Sequence, residues 1–467
     1  MSAPTIGAPP GMLKSHSTLV RFPTSVGILL GISLCVHLAA LTYAVVGEGL
    51  TAATSFVLGQ FTLSLGLLRL YNGAWVLQDI RMPMVVLLFL YGCTLPAISL
   101  MRESEWTGLT EAAVLFGTAY VGFNLVQWWY KQQWQDVPVE SFDSIRPSFA
   151  NAALVLIAFI AVIGYAWVRG TRAFLTLDRT QMSWLYTQAW VVAMMMMNGF
   201  AMYLFAGWPR LSKNARRFVV VTLIAFVILH IGLGNRRDFI AMALFLVGMI
   251  ASRRHATIGI RTIILAMLTF VVMMSLGVAR QLRAKPWMAY STNRLLLVAE
   301  QNEFVMPIRT VMYYATADKP LKYGLTYITA PTVFIPRRLW PEKPIGLSLQ
   351  FNRDQFGDAI VPGYAYTPVT EAFINFSFVG PFVVMSLVSL ATVLLVKHAR
   401  RRPMLYFTSF ALTLEFNRGS SAGVLYFLVV VGVAYALMRV VSRIEWSPKS
   451  LHGMWPPPIA VERVSPG

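Results

Sequence analysis

The chain has 467 residues, of which 57% are hydrophobic and only 13% are charged, and its mean hydropathy is +0.60. About a quarter of the residues of soluble domains are charged, so this composition excludes an ordinary soluble globular protein. The net charge of +19 would suggest nucleic-acid binding in a soluble chain. Here the cations are spread over many connecting segments, which argues against a nucleic-acid surface.

Apolar runs that are long enough to cross a bilayer recur along most of the chain. They predict an all-α polytopic integral membrane protein with about twelve transmembrane helices. The runs at 239–252 and 404–418 are short, so we expect these two spans to be tilted, broken or partly re-entrant. The predicted spans are 26–46, 52–71, 82–100, 109–130, 149–168, 183–206, 216–234, 239–252, 260–279, 373–396, 404–418 and 422–442.

The distribution of lysine and arginine predicts the orientation. When the N-terminus is placed in the cytoplasm, most cations fall on the inner loops and on both tails, which is the positive-inside bias. Both termini are therefore predicted to be cytoplasmic. The resulting segments are an N-terminal tail (1–25), spans one to nine (26–279), a large outer loop (280–372), spans ten to twelve (373–442) and a C-terminal tail (443–467).

Few residues suggest a metal or a cofactor. Cys35 and Cys93 both fall within apolar runs, which argues against a structural disulfide or a zinc site. His37 and His230 fall within predicted spans, where packed or hydrogen-bonded roles are expected. No P-loop and no glycine-rich dinucleotide motif is present. We therefore predict neither a metal nor a cofactor.

The outer loop at 280–372 is the one long connection in the predicted topology, and loops of this length are usually functional. Aromatic residues occur throughout it. The stretch Asn293–Ala317 has the pattern of an amphipathic helix bent at Pro307. We expect the loop to form a folded cap on the outer face of the membrane.

Two arginine clusters lie where predicted spans meet the outer side. Arg236 and Arg237 precede Asp238 at one junction, and Arg280 and Arg283 follow span nine. Paired guanidinium groups form forked hydrogen bonds to phosphate. The alternative is a set of interfacial charges whose side chains reach the headgroups. Asp238 could equally be a helix N-cap.

The segment "FIPRRLWPEKP" at 334–344 is too polar and too broken to cross a bilayer. Its three prolines fix the backbone φ angle and exclude regular structure. They are expected to hold Arg337, Arg338, Trp340 and Lys343 in a stiff, basic loop. The alternative is a surface loop that Trp340 anchors at the headgroup level.

Acidic side chains at the membrane boundary are candidates for proton transfer. Glu303 lies near the predicted arginine clusters, where a structural ion pair is the alternative. Glu371 and Asn375 are four residues apart and share a helix face where span ten begins. A carboxylate at such a boundary is costly and suggests a function. Glu415 and Arg418 could form a simple ion pair.

In order and spacing, these stretches resemble the Wzy-type oligosaccharide repeat-unit polymerases, which include O-antigen and exopolysaccharide polymerases. The resemblance covers about residues 230–382, and the N-terminal half matches only as a set of spans. Asn235 stands where the family pattern has serine. The matching elements are Gly234-Asn235-Arg236-Arg237, Glu303-Phe304, Tyr323-Gly324-x-x-Tyr327, the segment Ile335–Pro344, and Thr370-Glu371 through Asn375-Phe376 to Gly380.

This resemblance implies a membrane glycosyltransferase of the GT-C type in the bacterial inner membrane. It implies that the substrates are oligosaccharide repeat units on undecaprenyl diphosphate. The growing polymer would be moved from one carrier onto the sugar end of the next carrier-linked unit at the periplasmic face. A flippase and a chain-length regulator, or polysaccharide co-polymerase, are the implied protein partners.

Such a reaction requires two kinds of side chain. Negative charge grows on the leaving diphosphate, which fixed arginines would stabilise without a metal, and the acceptor hydroxyl must lose a proton to a base. The candidate bases are Glu303, Glu371 and Asp238. The candidate ligands of diphosphate or sugar are Arg236, Arg237, Arg280, Arg283, Arg337, Arg338, Lys343, Tyr327, Trp340, Asn375 and Arg418.

Three other functions are weighed against this one. An O-antigen ligase has the same plan of spans, but its outer loop carries a functional histidine and residues 280–372 contain none. A GT-C enzyme that adds single sugars would require an acidic motif in the first outer loop, where only Glu48 stands. A lipid-linked oligosaccharide flippase or other transporter would suit a basic cavity, but the long loop and the lack of an internal repeat argue against it.

Overall fold

A computed structural model describes residues 24–104, 106–135, 137–142, 144–176, 188–232, 237–254, 257–259, 304–357 and 366–443. These residues are mainly helical, and no β-strand occurs among them. The helices are α1 (Thr24–Val46), α2 (Gly49–Asn72), α3 (Arg81–Arg102), α4 (Leu109–Tyr130), α5 (Phe149–Thr176), α6 (Gln188–Ala206), α7 (Lys213–Gly232), α8 (Arg237–Arg253), α9 (Val305–Thr316), α10 (Leu325–Thr329), α11 (Leu347–Phe356), α12 (Pro368–Phe376), α13 (Val379–His398), α14 (Pro403–Ala411), α15 (Thr413–Asn417) and α16 (Ser421–Val441).

Six helices of the described ranges are long and apolar enough to cross a membrane, namely α1, α2, α3, α4, α13 and α16. Helices α5 to α8 occur at four more of the predicted spans. The predicted span at 260–279 lies outside the described residues. The chain is thus an all-α, multi-pass membrane protein, as its hydropathy predicted.

The predicted start of span ten differs from the structure. Residue 373 falls inside the short helix α12, which begins with a capping box in which the side chain of Thr367 accepts a hydrogen bond from the backbone N–H of Thr370. The chain then breaks at Ser377, whose φ is 55°, and the long helix α13 starts only at Val379. A Cβ on Gly380 would lie 2.1 Å from a backbone oxygen of α12. The hydropathy pattern alone treated the end of α12 and the whole of α13 as one span, whereas the structure has two helices that pack tightly at this break.

The predicted span at 404–418 is divided into α14 and α15, which meet at Leu412. The expectation that this short span is tilted or broken is therefore confirmed. Neither piece is long enough to cross a bilayer, since a span requires about 20 residues.

Polar side chains connect the first spans to one another inside the bundle. Gln60 in α2 contacts the Nε2 atom of His37 at 2.9 Å and accepts a hydrogen bond from Asn124 in α4 at 3.0 Å. Gln127, one turn further along α4, donates to the hydroxyl of Ser389 in α13 at 2.8 Å. Hydrogen bonds between membrane helices help to fix their packing. His37 is a packed, hydrogen-bonded residue, as the sequence indicated.

Helix α9 fixes part of the predicted outer loop to the bundle. Val305, Ile308 and Val311 are fully buried and belong to the same core as residues of α3 and α4. Pro307 lies in the first turn of α9, where a missing N–H breaks no helical hydrogen bond. The part of the predicted bent helix that precedes Phe304 lies outside the described residues.

A buried ion pair connects the α2–α3 link to the rest of the bundle. The guanidinium of Arg81 donates to Asp79 at 2.6 Å, and the two side chains are 0% and 1% exposed. Arg81 also donates to the side chain of Gln127 at 3.0 Å and to the backbone oxygen of Gln132 at 2.7 Å. The hydroxyl of Tyr406 in α14 accepts from the backbone N–H of Ile80 at 2.8 Å. These contacts hold α2, α3, α4 and α14 together at one end of the bundle.

Replacing Arg81 by alanine is expected to lower the free energy of unfolding by about 3–5 kcal/mol, because Asp79 would remain buried without its partner. The measurement is thermal unfolding of the purified protein in detergent. Arg217, which is exposed near the start of α7, is the control, and Arg217→Ala should leave the midpoint unchanged. Equal midpoints for the two variants would contradict a stabilising role of the ion pair.

Candidate functional site

The predicted site residues fall into three groups. Arg236, Arg280, Arg283 and Glu303 lie outside the described residues. For Arg237 and Asp238 the structure describes only the backbone, which forms the first turn of α8. The other predicted site residues are Glu371, Asn375, Tyr327, Arg337, Arg338, Trp340, Lys343 and Arg418.

Glu371 is the centre of a buried hydrogen-bond network. Its side chain lies in α12 and the residue is 2% exposed. One carboxylate oxygen accepts from the hydroxyl of Thr326 at 2.9 Å and from the hydroxyl of Ser421 at 2.7 Å. The other oxygen accepts from the backbone N–H of Ser421 at 2.7 Å. The carboxylate therefore joins α12, α10 and the N-terminus of α16.

Asn375 lies one turn after Glu371 and extends the same network. Its Nδ2 group donates to the hydroxyl of Thr326 at 2.6 Å and to the backbone oxygen of Glu371 at 2.7 Å. Its Oδ1 atom accepts from the backbone N–H of Gly324 at 2.9 Å. The predicted shared face of Glu371 and Asn375 is confirmed, because both side chains contact Thr326.

The turn before α10 is held against α12 by its backbone. Lys322 donates its N–H to the oxygen of Ile374 at 2.9 Å, and Tyr323 donates to that of Asn375 at 3.1 Å. Tyr323 and Gly324 have φ angles of 47° and 83°. Glycine adopts this left-handed region at little cost, whereas tyrosine is rare there. The Tyr-Gly pair of the sequence pattern is thus a backbone turn that docks on α12.

The surroundings of Glu371 act on its charge in opposite directions. Burial raises the pKa of Glu371, and the hydrogen bonds from Ser421 and Thr326 and the ammonium of Lys322 partly offset that rise. Ser421 is the first residue of α16, where the helix dipole also favours an anion. The side chain thus has a raised proton affinity, although both of its oxygens already accept hydrogen bonds from the protein.

The hydroxyl of Tyr327 is a buried polar atom that has no hydrogen-bond partner within the described ranges. Its ring stacks on Phe376, with centroids 6.2 Å apart and planes 11° apart. Burial and the nearby Glu371 carboxylate raise the pKa of Tyr327. Buried polar atoms nearly always have a partner, so this hydroxyl is available to a ligand or to water.

The cations of the segment 334–344 have different surroundings. Arg337 donates to the backbone oxygen of Lys343 at 3.0 Å, and Lys343 donates to those of Val333 at 3.1 Å and Ile335 at 3.0 Å. These two side chains close the loop on itself. Arg338 is exposed and makes no side-chain hydrogen bond or ion pair with any residue that the structure describes. Arg338 is therefore the cation of this segment that is free to meet an anion.

Trp340 and Arg418 are the remaining predicted site residues that the structure describes. Trp340 is 38% exposed and closes a turn in which its N–H donates to the oxygen of Pro336 at 3.2 Å. Arg418 is half-buried and caps the end of α15, three residues before Ser421. Neither residue contacts the carboxylate of Glu371 directly.

An apolar groove of about 250 Å³ runs beside the basic segment. Val192 and Met196 of α6 line one side, and Tyr426 of α16 lines the other, with Phe334 and Pro336 between them. Phe334 stacks on Tyr426 with ring centroids 5.5 Å apart. Pro336 lines the groove and is followed in the chain by Arg337 and Arg338. An apolar surface that suits a hydrocarbon chain is therefore connected directly to a positively charged segment.

Sequence reasoning missed the two hydroxyl residues that hold the Glu371 carboxylate. Ser421 follows Ser420 just before a long apolar run, which is a helix-start signal, and Thr326 lies inside the Tyr-Gly-x-x-Tyr pattern. Neither signal indicates a contact with a carboxylate that is 45 or 50 residues away.

Comparison with known proteins adds one finding. A family sequence pattern described as "O-antigen polysaccharide polymerase Wzy" matches residues 102–444, which is well over half of the chain. The match runs from the last residue of α3 past the end of α16 and contains every predicted site residue. No curated protein and no solved structure shows significant similarity to the chain.

Replacing Thr326 by valine is expected to lower the free energy of unfolding by about 1–3 kcal/mol. The change keeps the shape of the side chain but removes a hydroxyl that serves both Glu371 and Asn375. Thermal unfolding in detergent measures the loss. Thr329→Val, in the same helix, removes a hydroxyl that donates only to backbone oxygens of its own turn. A similar loss in both variants would argue against the network.

Proposed function

The chain belongs to the O-antigen polysaccharide polymerase Wzy family, and from this premise we propose how it acts on lipid-linked oligosaccharide. It is a glycosyltransferase that joins repeat units carried on undecaprenyl diphosphate into a surface polysaccharide or exopolysaccharide. The growing chain is transferred as a block at the periplasmic face of the bacterial inner membrane, with both termini in the cytoplasm. The proposal includes about twelve spans, a GT-C-type fold, and a flippase and a chain-length regulator as partners.

The observation that supports this proposal most is that Pro336 lines the apolar groove while Arg338, two residues further along the same loop, is exposed. A lipid diphosphate has an anionic head and a hydrocarbon tail, so it requires both kinds of surface next to each other. Arg338 has a guanidinium free for the diphosphate, while Arg337 and Lys343 keep the loop closed behind it. A preorganised cation stabilises charge without rearranging during the reaction.

The lipid tail lies in the groove between α6 and α16 in this proposal. The nine residues that line the groove have mainly apolar side chains, and burying hydrocarbon there contributes about 0.8 kcal/mol per CH₂ group. The clusters Arg236-Arg237 and Arg280-Arg283 are proposed to complete the diphosphate site from neighbouring segments.

The transfer step forms one bond and breaks one. The acceptor hydroxyl oxygen attacks the anomeric carbon of the first sugar of the donor chain, and the bond from that carbon to the diphosphate oxygen breaks. The electron pair leaves with the diphosphate on its lipid, where the arginines stabilise the charge without a metal ion. The hydroxyl proton passes to a carboxylate base.

The candidate bases are Glu303, Asp238 and Glu371. The Glu371 carboxylate is 2% exposed and both of its oxygens accept hydrogen bonds from the protein, which favours a positioning role. We therefore propose that Glu303 or Asp238 takes the proton and that Glu371 holds the site in shape. The hydroxyl of Tyr327 is proposed to contact substrate.

Replacing Arg338 by alanine should lower polymer formation by about a hundredfold or more, because it would remove a donor from the charge that develops on the leaving diphosphate, and one such donor contributes that much once it is bound there. Polymer length is read by gel electrophoresis in a host strain that lacks its own copy of the gene. Single repeat units should still appear. Arg353→Ala is the matched control, because Arg353 is exposed within the same predicted outer loop. Normal polymer length in the Arg338 variant would contradict its role at the diphosphate.

Glu371→Gln separates a positioning role from that of a base. The glutamine amide can accept from the Ser421 N–H and donate to the Thr326 and Ser421 hydroxyls, which can rotate to accept. We expect Glu371→Gln to polymerise within about tenfold of the unchanged protein, and Glu371→Ala to unfold at lower temperature and lose activity. Loss of activity by about 10²–10⁴-fold in a stable glutamine variant would instead identify Glu371 as the base.

A further inference from the structure

A second pocket, of about 230 Å³, lies beside the turn that carries Lys322. Its polar lining comes from α9, α11 and the turn before α10, and Phe373 and Ile374 of α12 form an apolar wall. It shares no lining residue with the groove between α6 and α16. The polar lining residues are Tyr314, Lys319, Lys322, Gln350 and Asp354.

Among the residues that the structure describes, the carboxylate of Asp354 has only long contacts. One oxygen lies 3.7 Å from the ammonium of Lys319, and the other accepts from the hydroxyl of Tyr314 at 3.4 Å. A carboxylate can accept about four hydrogen bonds. Tyr313 donates to the backbone oxygen of Asp354 at 3.0 Å, which holds the backbone in place. The side chain therefore has free acceptor capacity in a fixed position.

The ammonium of Lys322 has the complementary capacity. It is half-buried and donates to the side-chain oxygen of Gln350, its one side-chain hydrogen bond with the described part of the chain. An ammonium group has three donors. Burial lowers the pKa of Lys322, and the charges of Asp354 and Glu371 oppose that change. Donors thus remain for a ligand at the wall of the pocket.

We propose that this pocket binds one sugar residue of the acceptor oligosaccharide, a proposal that rests on the polymerase function above. Sugar hydroxyls both donate and accept, which matches a carboxylate, an ammonium and an amide placed around an apolar wall. The volume lies below the range of about 300–1,000 Å³ for drug-sized ligands. The pocket therefore suits a single sugar rather than a whole repeat unit.

The position of the pocket favours the acceptor over the donor lipid. Along the chain, Lys322 lies shortly before α10 and Phe334 lies shortly after it. A lining residue of the polar pocket and one of the apolar groove are thus on either side of the helix that carries Thr326 and Tyr327. The backbone of Lys322 is also bonded to Ile374 of α12. A sugar bound here would contact the segment before α10, whereas the lipid in the groove would contact the segment after α10.

The test uses the full-length protein in nanodiscs and the single-repeat oligosaccharide released from the host polymer, without lipid. Asp354→Asn and Lys322→Met should each raise the Kd of this oligosaccharide about tenfold or more. They should also raise the KM for the acceptor while kcat changes little. Arg353→Ala, next to Asp354 in α11 and exposed, should leave both constants unchanged. Gln350→Ala provides the same readout if Asp354→Asn does not fold.

Unchanged Kd and KM values in the folded pocket variants would overturn the sugar site and leave the polymerase proposal intact. The converse outcome is a protein that binds the oligosaccharide, loses affinity in the pocket variants and yet never joins repeat units. In that case the sugar site would stand, and the proposed polymerisation would be wrong. Isothermal titration calorimetry and a polymer-length assay on the same preparation separate these outcomes.

Discussion

The site depends on the burial of one carboxylate. A buried carboxylate is costly unless hydrogen bonds replace the water that it loses. For Glu371 those bonds come from Thr326, 45 residues earlier, and Ser421, 50 residues later. Helix α10, the short helix α12 and the start of α16 must therefore meet at one point. Because the backbone N–H of Ser421 is one donor, the position of a membrane-spanning helix is coupled directly to this site.

That coupling gives the two candidate binding regions a common support. The helix α10 carries Thr326 and lies between Lys322, at the polar pocket, and Phe334, at the apolar groove. Both regions thus adjoin one short element whose Thr326 hydroxyl is bonded to Glu371 and to Asn375 of α12. Functional groups work best when such support fixes them in advance. The self-closed loop around Arg337 serves the same purpose for Arg338.

The same rule about buried polar groups operates at the other places where the bundle is held together. Asp79 and Arg81 satisfy each other, and Arg81 also bonds to Gln127 of α4. The backbone of Ile80, between them, donates to Tyr406 of α14, and Gln60 and Asn124 connect α2 with α4. The sequence predicted part of this arrangement. It indicated that His37 is packed and that Glu371 and Asn375 share a face. It placed the start of the tenth span within α12, because hydropathy does not register the break at Ser377. It also grouped Arg337 with Arg338 as candidate ligands of diphosphate or sugar, and the structure adds that Arg337 and Lys343 bond to the backbone of their own loop.

The sequence by itself determined the all-α membrane class, six long apolar helices and the family, because hydropathy and motif spacing are properties of neighbouring residues. Tertiary structure decided which polar groups meet. Whether Glu371 contacts Ser421, or Lys322 contacts Gln350, depends on how helices far apart in the chain pack. Local patterns also could not distinguish Arg338 from Arg337, since both occupy one basic run. Only the folded backbone provides carbonyl oxygens that engage the guanidinium of Arg337 and leave that of Arg338 free.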